Sequence, residues 1–301
     1  MKVLNIGSLN LDYVYRVDRF VLPGETLSAK TQTVNPGGKG LNQSVALARA
    51  GAQVFHAGCL GRGGESLGQL LRENGVDTSW LLPVEEIQGN AVIQVTPDGE
   101  NCILLFGGSN QCLTPEQVGD TLNAFSAGDW LVLQNEVNDP AMIVDRAYAR
   151  GLRIVLNPSP CNEKLETVDF GKLAWLLVNE VEAEQLTGSG DPEKAWEKLH
   201  GQYPALSLLV TLGREGSVAY RMDGGNVLCA RQEAFSVQAV DTTGAGDTFT
   251  GYFIAALLEG RPLQESMRRA AAAAALGVTR SGAAASVPRR QEVEEWLSRM
   301  P

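Results

Sequence analysis

Strand-like and helix-like segments alternate along most of this chain, and that alternation narrows the fold more than any other feature of the sequence. Thr114-Pro115-Glu116-Gln117 joins a capping threonine, a first-turn proline and a glutamine at the capping-box position, so it opens a helix. Asp129–Gln134 reads as a strand, Asp139-Pro140 opens a helix that Gly151 ends, and Arg153–Asn157 and Leu173–Val178 read as strands. Asn179-Glu180-Val181-Glu182 starts a short helix, Asp191-Pro192 another, and Leu206–Thr211 is again strand-like. In the N-terminal part, Val3–Ser8 reads as a buried first strand, Gln43–Ala50 as a helix capped by Gly51, Ala52–Gly58 as a strand and Glu65–Asn74 as a helix capped by Gly75. A hairpin over Ser217–Ala230 and helices near 245–259, 263–278 and 290–299 complete the chain. Strands and helices in this order predict an α/β fold: a mostly parallel sheet with helices on both faces.

Two segments break the pattern. Residues 13–34 hold Pro23-Gly24 as a turn, and residues 90–107 hold Pro97-Asp98-Gly99-Glu100 between alternating runs, a strong hairpin signal. The first is too polar on one face for the interior of a parallel sheet. They are expected to pair as a small separate sheet, a lid over the site, inserted at about 13–34 and 90–107 in one domain spanning 1–301.

The charge balance limits the partners. With 35 acidic and 25 basic residues the formal charge is −10, and no basic cluster exceeds pairs such as Arg268-Arg269 or Arg289-Arg290. That argues against nucleic acid or an anionic membrane surface. An anionic small molecule would need help from backbone amides, a metal or a few cations. The five cysteines have no Cys-x-x-Cys spacing and the two histidines, His56 and His200, lie in no metal-binding motif, so reduced thiols in a cytoplasmic protein are expected. The first residues carry no signal-peptide pattern, and the longest apolar run, Ala270–Val278, is too short to span a bilayer.

Chemistry concentrates in two glycine loops and at strand ends. A β-rich run, Phe235–Val240, leads into Asp241-Thr242-Thr243-Gly244-Ala245-Gly246-Asp247, and a small-residue apolar segment leaves it, so the local reading is strand, glycine loop, helix. Amides at such a helix start, with the positive end of the helix dipole behind them, suit a phosphate. Asp247 looks self-defeating there unless its carboxylate is a base acting on what the amides hold; read alone, it serves equally well as a helix N-cap. The second loop, Asn35-Pro36-Gly37-Gly38-Lys39-Gly40-Leu41-Asn42, also opens onto a helix but lacks the Ser or Thr of a phosphate-binding Walker loop. Asn10 and Asp12, Asn135 and Glu136, Asn179 and Glu182, Thr211 and Gly213, and Asp247 stand at the carboxyl ends of successive predicted strands, where a crevice over a parallel sheet binds its ligand. No Ser/His/Asp arrangement and no dinucleotide-binding Gly-x-Gly-x-x-Gly turn accompanies them.

These motifs together resemble the ribokinase-like (phosphofructokinase-B-type) carbohydrate kinases, over essentially the whole chain. Gly37–Gln43 is similar to that family's sugar-binding signature in its lysine-containing form, Asp241–Asp247 to its catalytic signature, Asn179–Glu182 to its Asn-x-x-Glu motif, and Thr211–Gly216 to its nucleotide loop. The resemblance implies a three-layer sandwich with a small β-sheet lid, and ATP-dependent phosphorylation of a sugar's primary hydroxyl, foremost the 5-hydroxyl of D-ribose. It implies Asp247 as general base and Gly244, Ala245 and Gly246 as the anion hole. Sugar contacts would come from Asn10, Asp12, Gly38, Lys39, Asn42, Glu136 and Asp247. Nucleotide contacts would come from Asn179, Thr211, Gly213, Gly216 and Gly246, with Glu182 linked to Mg²⁺ and phosphate. A monovalent-cation (K⁺) site would fall on Asp241, Thr243, Gly277, Arg280, Gly282 and Ser286, and the lid would pair two subunits into a homodimer. One departure is Ala271, where relatives carry Asn or His near the adenine. Deoxyribose, another sugar or a nucleoside stand as alternative substrates, and a sugar-binding sensor without catalysis as the alternative of another class.

Overall fold

The computed structural model describes residues 1–300. Its first part comprises β1 (Val3–Ile6), β2 (Asn10–Arg16), β3 (Thr31–Gly37), α1 (Lys39–Arg49), β4 (Val54–Arg62), α2 (Glu65–Glu73), β5 (Asp77–Ile87), β6 (Asn90–Val95) and β7 (Asn101–Phe106). There follow α3 (Pro115–Asn123), β8 (Trp130–Gln134), α4 (Pro140–Ala149), β9 (Arg153–Asn157), β10 (Trp175–Asn179), α5 (Glu180–Thr187), α6 (Pro192–Gln202) and β11 (Ser207–Thr211). β12 (Ser217–Asp223), β13 (Asn226–Gln232), α7 (Ala245–Leu258), α8 (Leu263–Val278), α9 (Ala283–Ser286) and α10 (Arg290–Ser298) end the chain.

The large sheet has nine strands in the order β13-β12-β11-β10-β9-β8-β1-β4-β5. From β11 to β5 neighbouring strands are parallel, while β12 and β13 add an antiparallel edge. Alternate residues of each central strand supply opposite layers, as the two-residue period of a strand requires. In β8, Val132 joins the core beneath α1, α7 and α8, whereas Leu131 and Leu133 join the core beneath α3, α4 and α6. All three side chains are fully buried, which is why these strands read as continuous apolar runs. The result is the expected three-layer α/β sandwich.

The second sheet has four strands in the order β3-β2-β6-β7. The Asp98-Gly99 turn joins β6 to β7, with Gly99 at φ +88°. Its outer strand leaves Ile103, Leu104, Leu105 and Phe106 exposed.

Four details differ from the sequence-based expectation. Asn10 and Asp12 do not stand at the end of β1; the chain turns at Gly7–Leu9, and both lie in β2 of the small sheet. Pro23-Gly24 is a turn within the long 17–30 connection, so 13–34 is not a tight hairpin. β5 carries Pro83 and the acidic pair Glu85-Glu86, which hid it; an edge strand tolerates both. Phe235–Val240 forms no strand, because no neighbour offers it a ladder: the Val240 and Asp241 amides both donate to Val278 O at the end of α8, and Phe235 packs edge-on against Trp296.

Candidate active site

Successive connections diverge around β1. β4 and β5 lie on one side of it, β8 to β13 on the other, so a crevice opens where the carboxyl ends of β1 and β8 part. Side chains close this crevice at its base. Ser8, just past β1, donates through Oγ to Glu136 Oε2, just past β8. The same Glu136 oxygen accepts the Lys39 amide at 3.0 Å, while Ser8 Oγ accepts the Gly40 amide at 3.2 Å. Glu136 Oε1 has no partner among the described residues. Gly38 has to be glycine: its φ is +92°, and a Cβ there would stand 2.9 Å from the Asn10 amide nitrogen.

The small sheet covers this end. Asp12 lies over Gly37, where an added Cβ would fall on its carboxylate. Asn10 Oδ1 accepts from Asn110 Nδ2 at 2.7 Å. Burial, then the charges of Glu136 and Asp247, push the Asp12 carboxyl up to about 6. Burial likewise raises Glu136, against the opposing pull of Lys39 and of its hydrogen bonds from Ser8 and the Lys39 amide. Burial pulls the Lys39 ammonium down, but the Asp247, Glu136 and Glu182 carboxylates outweigh it and hold it above the ordinary lysine range. These carboxylates thus favour the charged form of Lys39.

Opposite stands the start of α7. Gly244 takes the left-handed conformation at φ +74° as the N-cap. The Ala245 amide is spent on Thr242 O at 3.2 Å, whereas among the described residues those of Gly244, Gly246 and Asp247 have no backbone partner. The free amides converge where the helix dipole favours an anion. Asp247 is buried, and its carboxylate is held from α1: Asn42 Nδ2 donates to Oδ2 at 3.0 Å and Gln43 Nε2 to Oδ1 at 2.9 Å. Gly251 makes this reach possible, because a side chain there would strike Ala46 and hold α7 off α1.

Lys39, Asn179, Glu182, Thr211, Gly244, Ala245, Gly246 and Asp247 line one cleft, together with Asn157, Thr242 and Thr250, which the sequence did not single out. Asn179 and Glu182 form a reciprocal capping box: Asn179 Oδ1 accepts the Glu182 amide at 2.8 Å and Glu182 Oε2 accepts the Asn179 amide at 3.1 Å. Gly213 and Gly216 do not line the cleft. They bound the short turn between β11 and β12, and at Gly216 (φ +100°) a Cβ would strike Gln232 O. Ala271 is buried in the helical core layer of α8.

The positions expected to hold a monovalent cation come together as two linked loops. Asp241 Oδ1 accepts from Thr243 N and Oγ1 at 2.9 and 2.7 Å, and Oδ2 accepts the Gly282 amide at 2.9 Å. Burial raises the Asp241 carboxyl, but these hydrogen bonds outweigh it and hold it below the usual carboxylate range. Gly277 faces both Ser286 Oγ and Thr248 Oγ1, and Thr248 Oγ1 is a buried oxygen without a partner among the described residues. Arg280 turns its guanidinium away, to Glu292 at 2.5 Å, leaving only its carbonyl for such a role.

Comparison with known proteins shows the family. The family model described as "pfkB family carbohydrate kinase" matches residues 1–290. The chain belongs to the pfkB family of carbohydrate kinases. It is 38% identical to the ribokinase of Bacillus subtilis over 299 residues, covering 97% of this chain and 98% of the relative. Among solved structures, ribokinase from Cryptococcus neoformans in complex with ADP superposes with a TM-score of 0.84 at 35% identity, covering 98% of this chain and 99% of that one. Arabidopsis thaliana ribokinase complexed with ribose and ATP superposes with a TM-score of 0.80 at 30% identity, covering 98% of each chain.

In this pfkB-family site the sequence reading missed the supporting side chains. Ser8, Gln43, Asn110, Asn157 and Gln134 are ordinary polar residues until the fold gives them partners. The histidines are structural, as their lack of a motif implied: His56 is buried against Ser44, its Nδ1 2.8 Å from Ser44 Oγ, and His200 stacks on Trp196.

Proposed function

We propose that this chain transfers the γ-phosphoryl group of ATP to the 5-hydroxyl of D-ribose, giving ribose 5-phosphate and ADP. One observation carries the reading: a buried carboxylate, Asp247, sits between the free amides at the start of α7 and the Glu136–Asn42 end of the crevice. The ribokinase relatives, one solved with ADP and one with ribose and ATP, support the substrate pair. Ribose lies against Asn10, Asp12, Gly38, Asn42 and Glu136, and the free oxygens of Asp12, Asn42 and Glu136 accept from its hydroxyls. Asp247 takes the proton of the 5-hydroxyl as that oxygen bonds to the γ-phosphorus and the bond to the β,γ-bridging oxygen breaks, the electron pair leaving with ADP. The Gly244 and Gly246 amides and the Lys39 ammonium hold the charge on the transferred group; Ala245 contributes its backbone position, and its amide only if the bond to Thr242 opens. Transfer of this kind asks mainly for alignment and charge stabilisation. On the nucleotide side the reading assigns the cleft-lining Asn179 and Thr211 to ATP, with Gly213 and Gly216 shaping the turn that follows Thr211.

No cluster of three or more acidic, His or Cys ligands occurs among the described residues. A divalent ion fits here only as Mg²⁺ carried on the phosphates, which needs one or two carboxylates, and Glu182 beside the cleft supplies one. Held there, Mg²⁺ would neutralise phosphate charge. The oxygen-rich 241–243 and 277–286 loops, with the partnerless Thr248 Oγ1, fit K⁺, whose role would be to fix the loop that leads into α7. We also propose a homodimer through the small sheet, supported by the exposed apolar strand β7; the mass in solution reads this directly. We also propose a cytoplasmic location, supported by the five free thiols; among the described residues no helix is long and apolar enough to cross a membrane.

The test is ADP release coupled to ribose, with and without K⁺, in wild type and Asp247→Asn. Turnover should fall by about 10²- to 10⁴-fold in the variant, the range of general-base catalysis, while ribose still binds. Full turnover in Asp247→Asn, or a wild type that binds ribose and transfers nothing, would overturn the reading.

A further inference from the structure

Behind Asp247 lies a chain of buried amides that the reaction itself does not use. Gln43, Gln134 and Asn5 are each 0% exposed. Gln43 Nε2 donates to Asp247 Oδ1 at 2.9 Å and to Asn157 Oδ1 at 3.2 Å. Gln43 Oε1 accepts from Gln134 Nε2 at 2.7 Å, and Gln134 Nε2 also donates to Asn5 Oδ1 at 3.1 Å.

The polarity of this chain is fixed from both ends. Asn157 Nδ2 donates to the Leu177 carbonyl at 3.0 Å, so Asn157 turns its oxygen to Gln43. Asn5 Nδ2 donates to the Gly40 carbonyl at 2.9 Å, so Asn5 turns its oxygen to Gln134. Backbone carbonyls only accept, so neither terminal amide can flip, and Gln43 and Gln134 have one orientation each that avoids oxygen facing oxygen. Even the partnerless Gln134 Oε1 fits this: the amide leaves an acceptor unsatisfied rather than reverse the chain.

We infer that Gln43 is a positioning residue for the base: the amide chain Asn5–Gln134–Gln43 pins Asp247 Oδ1 toward the protein interior, so that Oδ2, beside Asn42, is the oxygen presented to the sugar hydroxyl. Both ends of the chain reach elements of the site. Gly40 belongs to the sugar loop, and Asn157 lines the nucleotide cleft. The carboxylate is thus registered against both substrates through side chains that touch neither reacting atom. Amides suit the task because they donate without titrating.

The inference rests on Asp247 as the base, and the experiment separates the two. Gln43→Met keeps the length and removes the donor; Gln43→Glu keeps the bond from Gln134 and turns an oxygen on Asp247. Each is assayed with ribose and ATP, alone and combined with Asp247→Asn. Loss of a hydrogen bond to a charged group corresponds to a kcat lower by about 10- to 100-fold, with the ribose KM changed by less than about threefold. In the Asp247→Asn background neither change should lower kcat further, and Gln43→Glu should regain melting temperature, because the amide introduced by Asp247→Asn can donate to the new carboxylate. A KM that rises with kcat's fall, or the same loss repeated in the Asp247→Asn background, leaves Gln43 a packing residue and overturns the inference. Wild-type turnover in Asp247→Asn alone instead overturns the base. If Gln43→Met does not fold, Gln134→Met, one bond further back, must give the same split at smaller size.

Discussion

The two ends of the crevice are built in different ways. The nucleotide end is local: Asn179 and Glu182 cap the same helix 3 residues apart. The sugar end is assembled across the chain: Ser8 meets Glu136 at a separation of 128 residues, Lys39 meets Glu136 at 97, and Asn42 meets Asp247 at 205. Backbone amides at a helix start recognise what every phosphate shares, and a short motif suffices for that. Telling one polyol from another takes side chains in a fixed array, and only the folded sheet can hold it. The nucleotide end should therefore tolerate substitution with local, modest losses, and the sugar end should not.

Glu136→Gln should break the symmetry most sharply. Oε1 is the free acceptor of a carboxylate whose Oε2 is already held by Ser8 and the Lys39 amide. The substitution removes one charge-assisted acceptor and leaves the geometry in place, so the ribose KM should rise by about 10- to 100-fold. The ATP KM should stay within about twofold in steady-state kinetics with each substrate varied in turn. Equal losses for both substrates would mean that Lys39, which feels Glu136 and Glu182 alike, joins the two ends into one electrostatic unit.

That division also governs what the sequence reveals. The Thr114–Gln117 cap, the Asp98-Gly99 hairpin, the Asn179–Glu182 box and the two glycine loops are legible because each is complete within a few residues. The α/β class follows from periodicity for the same reason. Gln43, Gln134 and Asn5 are not legible: each is a polar residue inside an apolar element, and its purpose is a partner on another element. Phe235–Val240 misled in the opposite sense, since β-branched and aromatic residues favour a strand only where a neighbouring strand exists. Asn10 and Asp12 were expected at the end of β1 and lie instead on the small sheet, because the chain leaves β1 earlier than its apolar run suggested.

Asp12 sharpens the comparison through pH. Its folded value of about 6 exceeds the ordinary 3.8, so folding favours its protonated form. The stability this confers is fully present below pH 3.8 and is lost as pH rises through about 6. At pH 8 the ionised carboxylate therefore strains the folded state, by about 1–2 kcal/mol once partial exposure is discounted. Asp12→Asn should raise the melting temperature at pH 8, by a few degrees, and change it little at pH 4. It should also raise the ribose KM about tenfold, as loss of a charged acceptor does. A melting temperature unchanged at pH 8 would show that the sugar end carries no stored electrostatic cost.

Asn179→Ala tests the nucleotide end and should have the smallest effect. The substitution removes the oxygen that accepts the Glu182 amide, and loss of such a cap costs about 1 kcal/mol of stability. Glu182 keeps its bond to the backbone amide at position 179, so its carboxylate stays beside the cleft and only its anchoring loosens. The ATP KM should rise by a few fold, and the ribose KM should not move, because among the described residues no hydrogen bond links this cap to Glu136, Asn42 or Asp12. Calorimetric titration with ADP and with ribose measures both ends of one variant. Should ribose affinity fall as far as that for ADP, the cap would have to act through Lys39, and the local character of the nucleotide end would be confined to its backbone.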